Sequence, residues 1–271
     1  MQTIHLNDQL DLPVLGLGTW LLTGNTCSEA VKMAIEIGYR HIDTAEKYGN
    51  QAEIGKALSE ISLDRSEYYL TSKLWMNHYH TSQVRPAFEQ TLADLRTDYI
   101  DLYLMHWPDR TIPFTETLIE LQKIKEEGLI KAIGISNCTM HHVEEILSAG
   151  IEIVTNQVEL HPSFSQSELQ IFCQKHDVVM TAYSPLGRGA DLKLPIIVEL
   201  AQKHEVSTAA VILNWLRQKG IIAIPKASDY KHLEDNFNSL KWDLSTDDVV
   251  KISSLNTNNR VINPDCGDFD Y

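Results

Sequence analysis

Eight repeats of a short apolar run followed by an amphipathic segment predict an α/β protein, a closed (β/α)8 barrel built as a single domain over residues 1–271. Three observations carry this expectation. The apolar runs are rich in Val, Ile and Leu, which suits parallel strands buried on both faces. The segments between them keep helical spacing. No Pro/Gly/Ser-rich stretch breaks the rhythm, so no interdomain linker is expected. The rival, an open doubly wound sheet that binds a dinucleotide, would want G-x-G-x-x-G at its first turn, but "GLGTWL" puts Leu21 where the third glycine belongs.

The elements follow in order. A short hairpin is expected around Ile4 to Val14. "VLGLG" (14–18) reads as the first barrel strand, and "SEAVKMAIEIGY" as its helix, because Ala30, Val31, Ala34, Ile35 and Ile37 fall close to one face before Gly38 ends it. The same beat gives "YRHID" then "AEIGKALSEI", "YYLTSK" then "QVRPAFEQTLADL", and "IDLYLMH" then "FTETLIELQKIKEEG". It continues with "IKAIGIS" then "MHHVEEILSAG", "IEIVTNQ" then "SQSELQIFCQKH", "VVMTAYS" then "KLPIIVELAQKH", and "IIAIP" then "KHLEDNFNSL". An additional helix, "STAAVILNWLRQKG", is expected between the seventh and eighth strands.

Composition narrows the partners. With 23 basic and 37 acidic residues the net charge is −14, which argues against a nucleic-acid surface and against an anionic membrane surface. A phosphorylated ligand must then meet a local cluster of donors strong enough to offset that field. The N-terminus has no basic segment leading into an apolar one, and no apolar run reaches the roughly 18 residues of a membrane span, so a cytoplasmic protein is expected. Cys27, Cys138, Cys173 and Cys266 form no CxxC pair, which fits free thiols and no metal site.

In such barrels chemistry sits at the C-terminal strand ends. Asp43 with Tyr48 just beyond it, Lys73, His106, Ser136, Asn137, Gln157, Tyr183 and Ser184 all fall there. A phenol of ordinary pKa about 10 is a poor proton donor at neutral pH unless its anion is favoured, and a nearby ammonium does that. Asp43 is therefore expected to anchor Lys73, and Lys73 to acidify Tyr48. His106 adds a donor aimed at a carbonyl oxygen. The set suits carbonyl reduction but lacks a hydride, which a cofactor must supply. A second reading makes Lys73 a Schiff-base lysine of an aldolase-like lyase. His78 and His80 are expected to line the substrate mouth rather than hold a metal, and His141 and His142 to be solvated.

At this point the chain resembles the aldo-keto reductase family. "GLGTW", "GYRHIDTAEKYGN", "LTSKLW", "LRTDYIDLYLMHWP", "IGISN", "TNQVELHP", "YSPLGRG" and "IPKASDYKHLEDN" run in family order over about residues 12–240. The resemblance implies a TIM barrel binding NADPH in extended form, with Asp43, Tyr48, Lys73 and His106 as catalytic tetrad and Tyr48 as general acid. It implies that Ser136, Asn137 and Gln157 grip the nicotinamide carboxamide and that Tyr183 stacks on its ring. Ser184, Pro185, Leu186 and Gly187 match the pyrophosphate loop, and Gly18, Thr19 and Trp20 join the cofactor-binding set. Trp20, Trp75 and Trp107, beside His106, correspond to substrate walls.

Where the family usually carries Lys-Ser and then an Arg for the 2′-phosphate, this chain has Lys226, Ala227 and Ser228, with Asp229 added and His232 at the arginine position. Arginine grips phosphate through a planar fork and a mostly neutral imidazole does not, a loss of roughly 1.5–3 kcal/mol. Use of NAD(H) beside NADP(H) is therefore expected. Asp235 and Asn236 match the adenine contacts. The polar tail "NTNNRVINPDCGDFDY" suggests an open site for small hydrated carbonyl compounds. The wider pattern is similar to the bacterial 2,5-diketo-D-gluconate reductase branch, whose members also reduce methylglyoxal. A monomer or weak dimer is expected. A third reading, a nicotinamide-binding redox sensor without turnover, is opposed by the intact tetrad.

Overall fold

The computed structural model describes residues 1–271. Strands β1 (Thr3–Asn7) and β2 (Leu10–Pro13) form the antiparallel hairpin read from the sequence. Its Leu6, Leu10 and Leu12 pack with Leu102, Leu104, Ala132, Val154 and Ile222 of the barrel interior, so the hairpin plugs one end of the barrel. Apolar burial on this scale, rather than hairpin pairing alone, holds such a short ribbon in place.

The barrel strands are β3 (Leu17–Gly18), β4 (His41–Asp43), β5 (Tyr69–Leu74), β6 (Ile100–Met105), β7 (Ile130–Ser136), β8 (Thr155–Glu159), β9 (Val179–Tyr183) and β10 (Ile222–Ala223). They form one eight-stranded sheet in sequential order, every neighbouring pair parallel. Closure comes from the edges: Leu15 bridges Ala223, Gly16 N donates to Ala223 O at 2.9 Å, and Gly18 N donates to Pro225 O at 3.1 Å. A Cβ at Gly18 would sit 2.4 Å from Ile224 O, so only glycine permits this approach.

Ten helices cover the outside: α1 (Gly24–Ile37), α2 (Gln51–Ser59), α3 (Thr81–Leu95), α4 (Phe114–Glu126), α5 (Met140–Ser148), α6 (Ser167–Lys175), α7 (Pro195–His204), α8 (Thr208–Gln218), α9 (Tyr230–Asn238) and α10 (Thr246–Ser253). The additional helix between the last two strands is α8. No helix is long and apolar enough to cross a membrane.

Two departures from the sequence reading are physical. The sixth strand runs from Thr155 to Glu159 rather than over 151–157, because both of its neighbours pair only from Thr155 and Asn156 onward. Gln157 therefore lies inside the strand and Glu159 at its end. Helix α10 was not expected; Ser245 caps it by accepting from Asp248 N at 3.2 Å, with Asp247 and Asp248 in the first turn.

Candidate active site

The strand ends converge. β4 ends in Asp43, the one-turn helix Glu46–Tyr48 presents Tyr48, β5 carries Lys73, and His106 follows β6. Lys73 is fully buried, and its Nζ donates to Asp43 Oδ1 at 2.6 Å, to Thr44 O at 2.7 Å and to Tyr48 Oη at 3.4 Å. Gln157 Nε2 donates to Asp43 Oδ2 at 2.7 Å, so both carboxylate oxygens are engaged. The ammonium is thus satisfied and enclosed, which removes the free amine that a Schiff-base lysine requires.

Burial raises the Asp43 carboxyl and lowers the Lys73 ammonium, and their contact opposes both shifts. For Tyr48 the expectation of a net acidified phenol is overturned: burial first, and the Asp43 charge second, push it well above its ordinary value. The phenol is therefore protonated at rest, as a proton donor must be. An ammonium at the distance of Lys73 Nζ is placed to stabilise a phenolate on Tyr48 were one to form. His106 is held well below its ordinary value by burial and by the charges of Lys73 and Lys47, so it is a neutral imidazole; its buried Nδ1 has no protein partner.

Aromatic edges fix these groups. Tyr48 meets Trp20 at 4.9 Å and His106 at 5.6 Å between ring centroids, and Trp75 meets His106 at 5.2 Å. The resulting cavity has a volume of about 340 Å³. Among the residues expected at the site, Asp43, Tyr48, His106, Trp20, Trp75 and Trp107 line it. Gly18, Thr19, Ser136, Asn137, Gln157, Tyr183, Ser184 and Lys226 form the rest of the wall. Lys73 lies beneath the surface, while Pro185, Leu186, Gly187, Ala227, Ser228, His232, Asp235 and Asn236 do not line the cavity.

Asn137, at φ +63°, occupies a backbone region that non-glycine residues seldom adopt. Its Nδ2 donates to His106 O at 2.9 Å, and its Oδ1 accepts from Tyr183 Oη at 2.7 Å. This ties together the ends of β6, β7 and β9 and sets amide, hydroxyl and aromatic groups along one wall. Arg188 and Lys226 add cations, the local donors that a phosphorylated ligand needs in a chain of net charge −14. Such a wall suits a nicotinamide dinucleotide. His232 does not extend it: Asp229 caps α9 by accepting from His232 N at 3.0 Å and faces its Nδ1 at 2.5 Å, which turns both exposed side chains onto each other.

The tail is not the open margin expected. Val261 N and Ile262 N donate to Glu159 at 2.6 and 2.8 Å, and Ile262, Pro264 and Cys266 wall the cavity. Phe269 meets Trp107 at 5.9 Å and carries the Arg260 guanidinium at 3.5 Å. His142, expected in solvent, is buried beneath the tail, with Nε2 at 3.1 Å from Asp268 Oδ2. His141 meets Tyr271 at 4.5 Å. His78 faces Glu46 at 2.6 Å and His80 is exposed; neither lines the cavity. The residues that the sequence reading missed are Lys47, Arg188 and Ile224 beside chosen motifs, and the three tail residues.

The tail's anchor continues inward. His161 bridges Glu159 Oε1 at 3.0 Å and Asp191 Oδ2 at 2.9 Å, all three side chains buried. Burial opposes its charge, but hydrogen bonds to Asp191 and Glu159 outweigh that and hold the imidazole above its ordinary value. A raised folded value contributes stability that is complete below the unfolded value of about 6.5 and lost as pH rises through the folded one. Thermal unfolding of His161→Gln against wild type should thus show a deficit at pH 6 that narrows on raising pH; a pH-independent deficit would mean a neutral His161.

Comparison with known proteins agrees with the geometry. The profile of the Aldo/keto reductase family matches residues 14–257. Glyoxal reductase of Bacillus subtilis is 39% identical over 266 residues, covering 97% of this chain and 96% of its own. The 9,11-endoperoxide prostaglandin H2 reductase of Trypanosoma cruzi is 39% identical over 263 residues, covering 95% and 93%. The crystal structure of an aldo/keto reductase from Brucella melitensis superposes with a TM-score of 0.90 at 40% identity, covering 94% of this chain and 99% of its own. A barrel closed on itself, the buried Lys73–Asp43 pair under Tyr48, and matches over nearly the whole chain lead to one assignment: the protein belongs to the aldo/keto reductase family, oxidoreductases that act on carbonyl compounds.

Proposed function

We propose that this chain, acting as one unit over residues 1–271, reduces small polar aldehydes and ketones such as methylglyoxal or 2,5-diketo-D-gluconate to alcohols with NADP(H), and accepts NAD(H) as well. The observation that carries this reading is the chain Gln157–Asp43–Lys73–Tyr48 ending beside the neutral His106 in a cavity walled by Trp20, Trp75 and Trp107. The cofactor, when bound, supplies hydride to the carbonyl carbon. Ser136, Asn137, Gln157 and Tyr183 would hold its reactive end, Ser184 to Gly187 would flank the pyrophosphate, and Lys226 would take phosphate charge. Ala227, Ser228, His232, Asp235 and Asn236 would meet its adenosine half, and Gly18 and Thr19 would complete the cofactor-binding set.

The protein's own groups do the rest. His106 donates a hydrogen bond to the carbonyl oxygen and orients it. Tyr48 passes its proton to that oxygen as the negative charge develops, and Lys73 stabilises the phenolate until solvent reprotonates it. One carbonyl, one hydride and one proton give one alcohol. The test is oxidation of NADPH or NADH on addition of methylglyoxal to the purified protein; no turnover with either cofactor and a panel of small carbonyls overturns the reading. Support from the B. subtilis relative is the name of its substrate class, glyoxal.

Cofactor choice is a separate test. With His232 occupied by Asp229, the ratio of kcat/KM for NADPH over NADH should stay below about a thousand, and His232→Arg should raise it about ten- to a hundredfold. A wild-type ratio far above that, or no response to arginine, means another group holds the 2′-phosphate.

A further inference from the structure

We infer that Lys47 forms a subsite for an anionic group, so that the favoured substrates are short carbonyl compounds bearing a carboxylate. This rests on the carbonyl-reduction reading and narrows it. Among the charged side chains that line the cavity, Lys47, Arg188 and Lys226 are cations and Asp43 is the carboxylate, already bonded to Lys73. Arg188 and Lys226 lie with the wall assigned to the dinucleotide. Lys47 is at the other end, its Nζ 4.7 Å from the centre of the Trp75 ring. Trp75 in turn meets His106, and His106 meets Tyr48. The ammonium thus stands one ring away from the groups that would hold the reacting oxygen, near enough for its charge to depress the His106 imidazole.

The carboxylate closest in sequence is spent elsewhere. Glu46 Oε2 accepts from Trp75 N at 3.0 Å, and Oε1 faces His78 Nδ1 at 2.6 Å. Lys47 makes no ion pair; its partner is an aromatic face, which positions the ammonium without neutralising it. Lysine stems normally carry such a charge out to water. Here the exposed Lys47 lies at the cavity wall with its ammonium against the Trp75 ring, where an entering substrate meets it and where added salt screens it. In a chain of net charge −14, an anionic substrate gains more from this local cation than a neutral one of the same shape.

The experiment compares 4-oxobutanoate with its methyl ester, the same aldehyde with and without the charge, at low and high ionic strength. Wild type should favour the acid by about tenfold or more in kcat/KM, and the preference should shrink as salt screens it. Lys47→Met, unbranched, one atom shorter and uncharged, should bring the acid-to-ester ratio close to one, while Lys47→Arg should retain it. Reduction of both compounds by wild type without preference, or a preference that survives Lys47→Met, overturns the subsite and leaves the reductase reading standing. Reduction of neither compound, nor of methylglyoxal, overturns the reductase reading and the subsite with it.

Discussion

Tyr48→Phe lowers kcat for methylglyoxal reduction by about a hundredfold or more, the scale of a lost general acid. The substitution keeps the ring, and with it the edge contacts to Trp20 and His106 that set the wall of the cavity. It removes the hydroxyl that Lys73 Nζ faces at 3.4 Å and nothing else of consequence, because Lys73 keeps Asp43 and Thr44 as partners. Folding should be unaffected and the effect should fall on turnover. The direction of the Tyr48 shift sharpens the argument. Burial keeps the phenol protonated, so the proton is available at neutral pH, and only a charge that grows during the reaction draws it off. A variant with kcat within about threefold of wild type would place the proton source elsewhere, since loss of a true general acid exceeds that.

Much of the fold and site was legible because barrels write both in local code. Apolar runs of strand length mark the barrel, and polar residues at the ends of those runs, such as Asp43, Lys73 and Ser136, are conspicuous since burying them needs a partner. What stayed hidden depends on long-range contacts. Ile262 reaches the cavity only because its backbone N–H bonds to Glu159, far away in sequence, and nothing in "RVINPDCG" signals that partner. His142 reads as a surface helix residue until the tail covers it. Gln157 lines the cavity, and its amide also donates to Asp43, a pairing that the spacing of the two residues in sequence does not signal. The sign of the Tyr48 shift was misread for a related reason: sequence names the neighbouring charge but not the depth of burial that outweighs it.

Lys73→Met costs about 3–5 kcal/mol of stability, the range for breaking a buried ion pair by removing one partner. Both members are enclosed, so the remaining Asp43 carboxylate has no water to replace the ammonium, and Thr44 O loses its donor as well. Gln157 still donates to Asp43 Oδ2, which holds the loss within that range rather than beyond it. Denaturant unfolding measures the deficit, and the double variant Asp43→Leu, Lys73→Met separates its causes. Replacing the whole pair by apolar groups removes the unpaired charge, so most of the stability should return. Turnover should not return, because the phenolate left on Tyr48 still lacks a cation within reach. Recovery of both stability and turnover would make the pair a structural filler and assign the stabilisation of Tyr48 to another group; a Lys73→Met protein as stable as wild type would mean that Asp43 takes up a proton rather than standing as a buried anion.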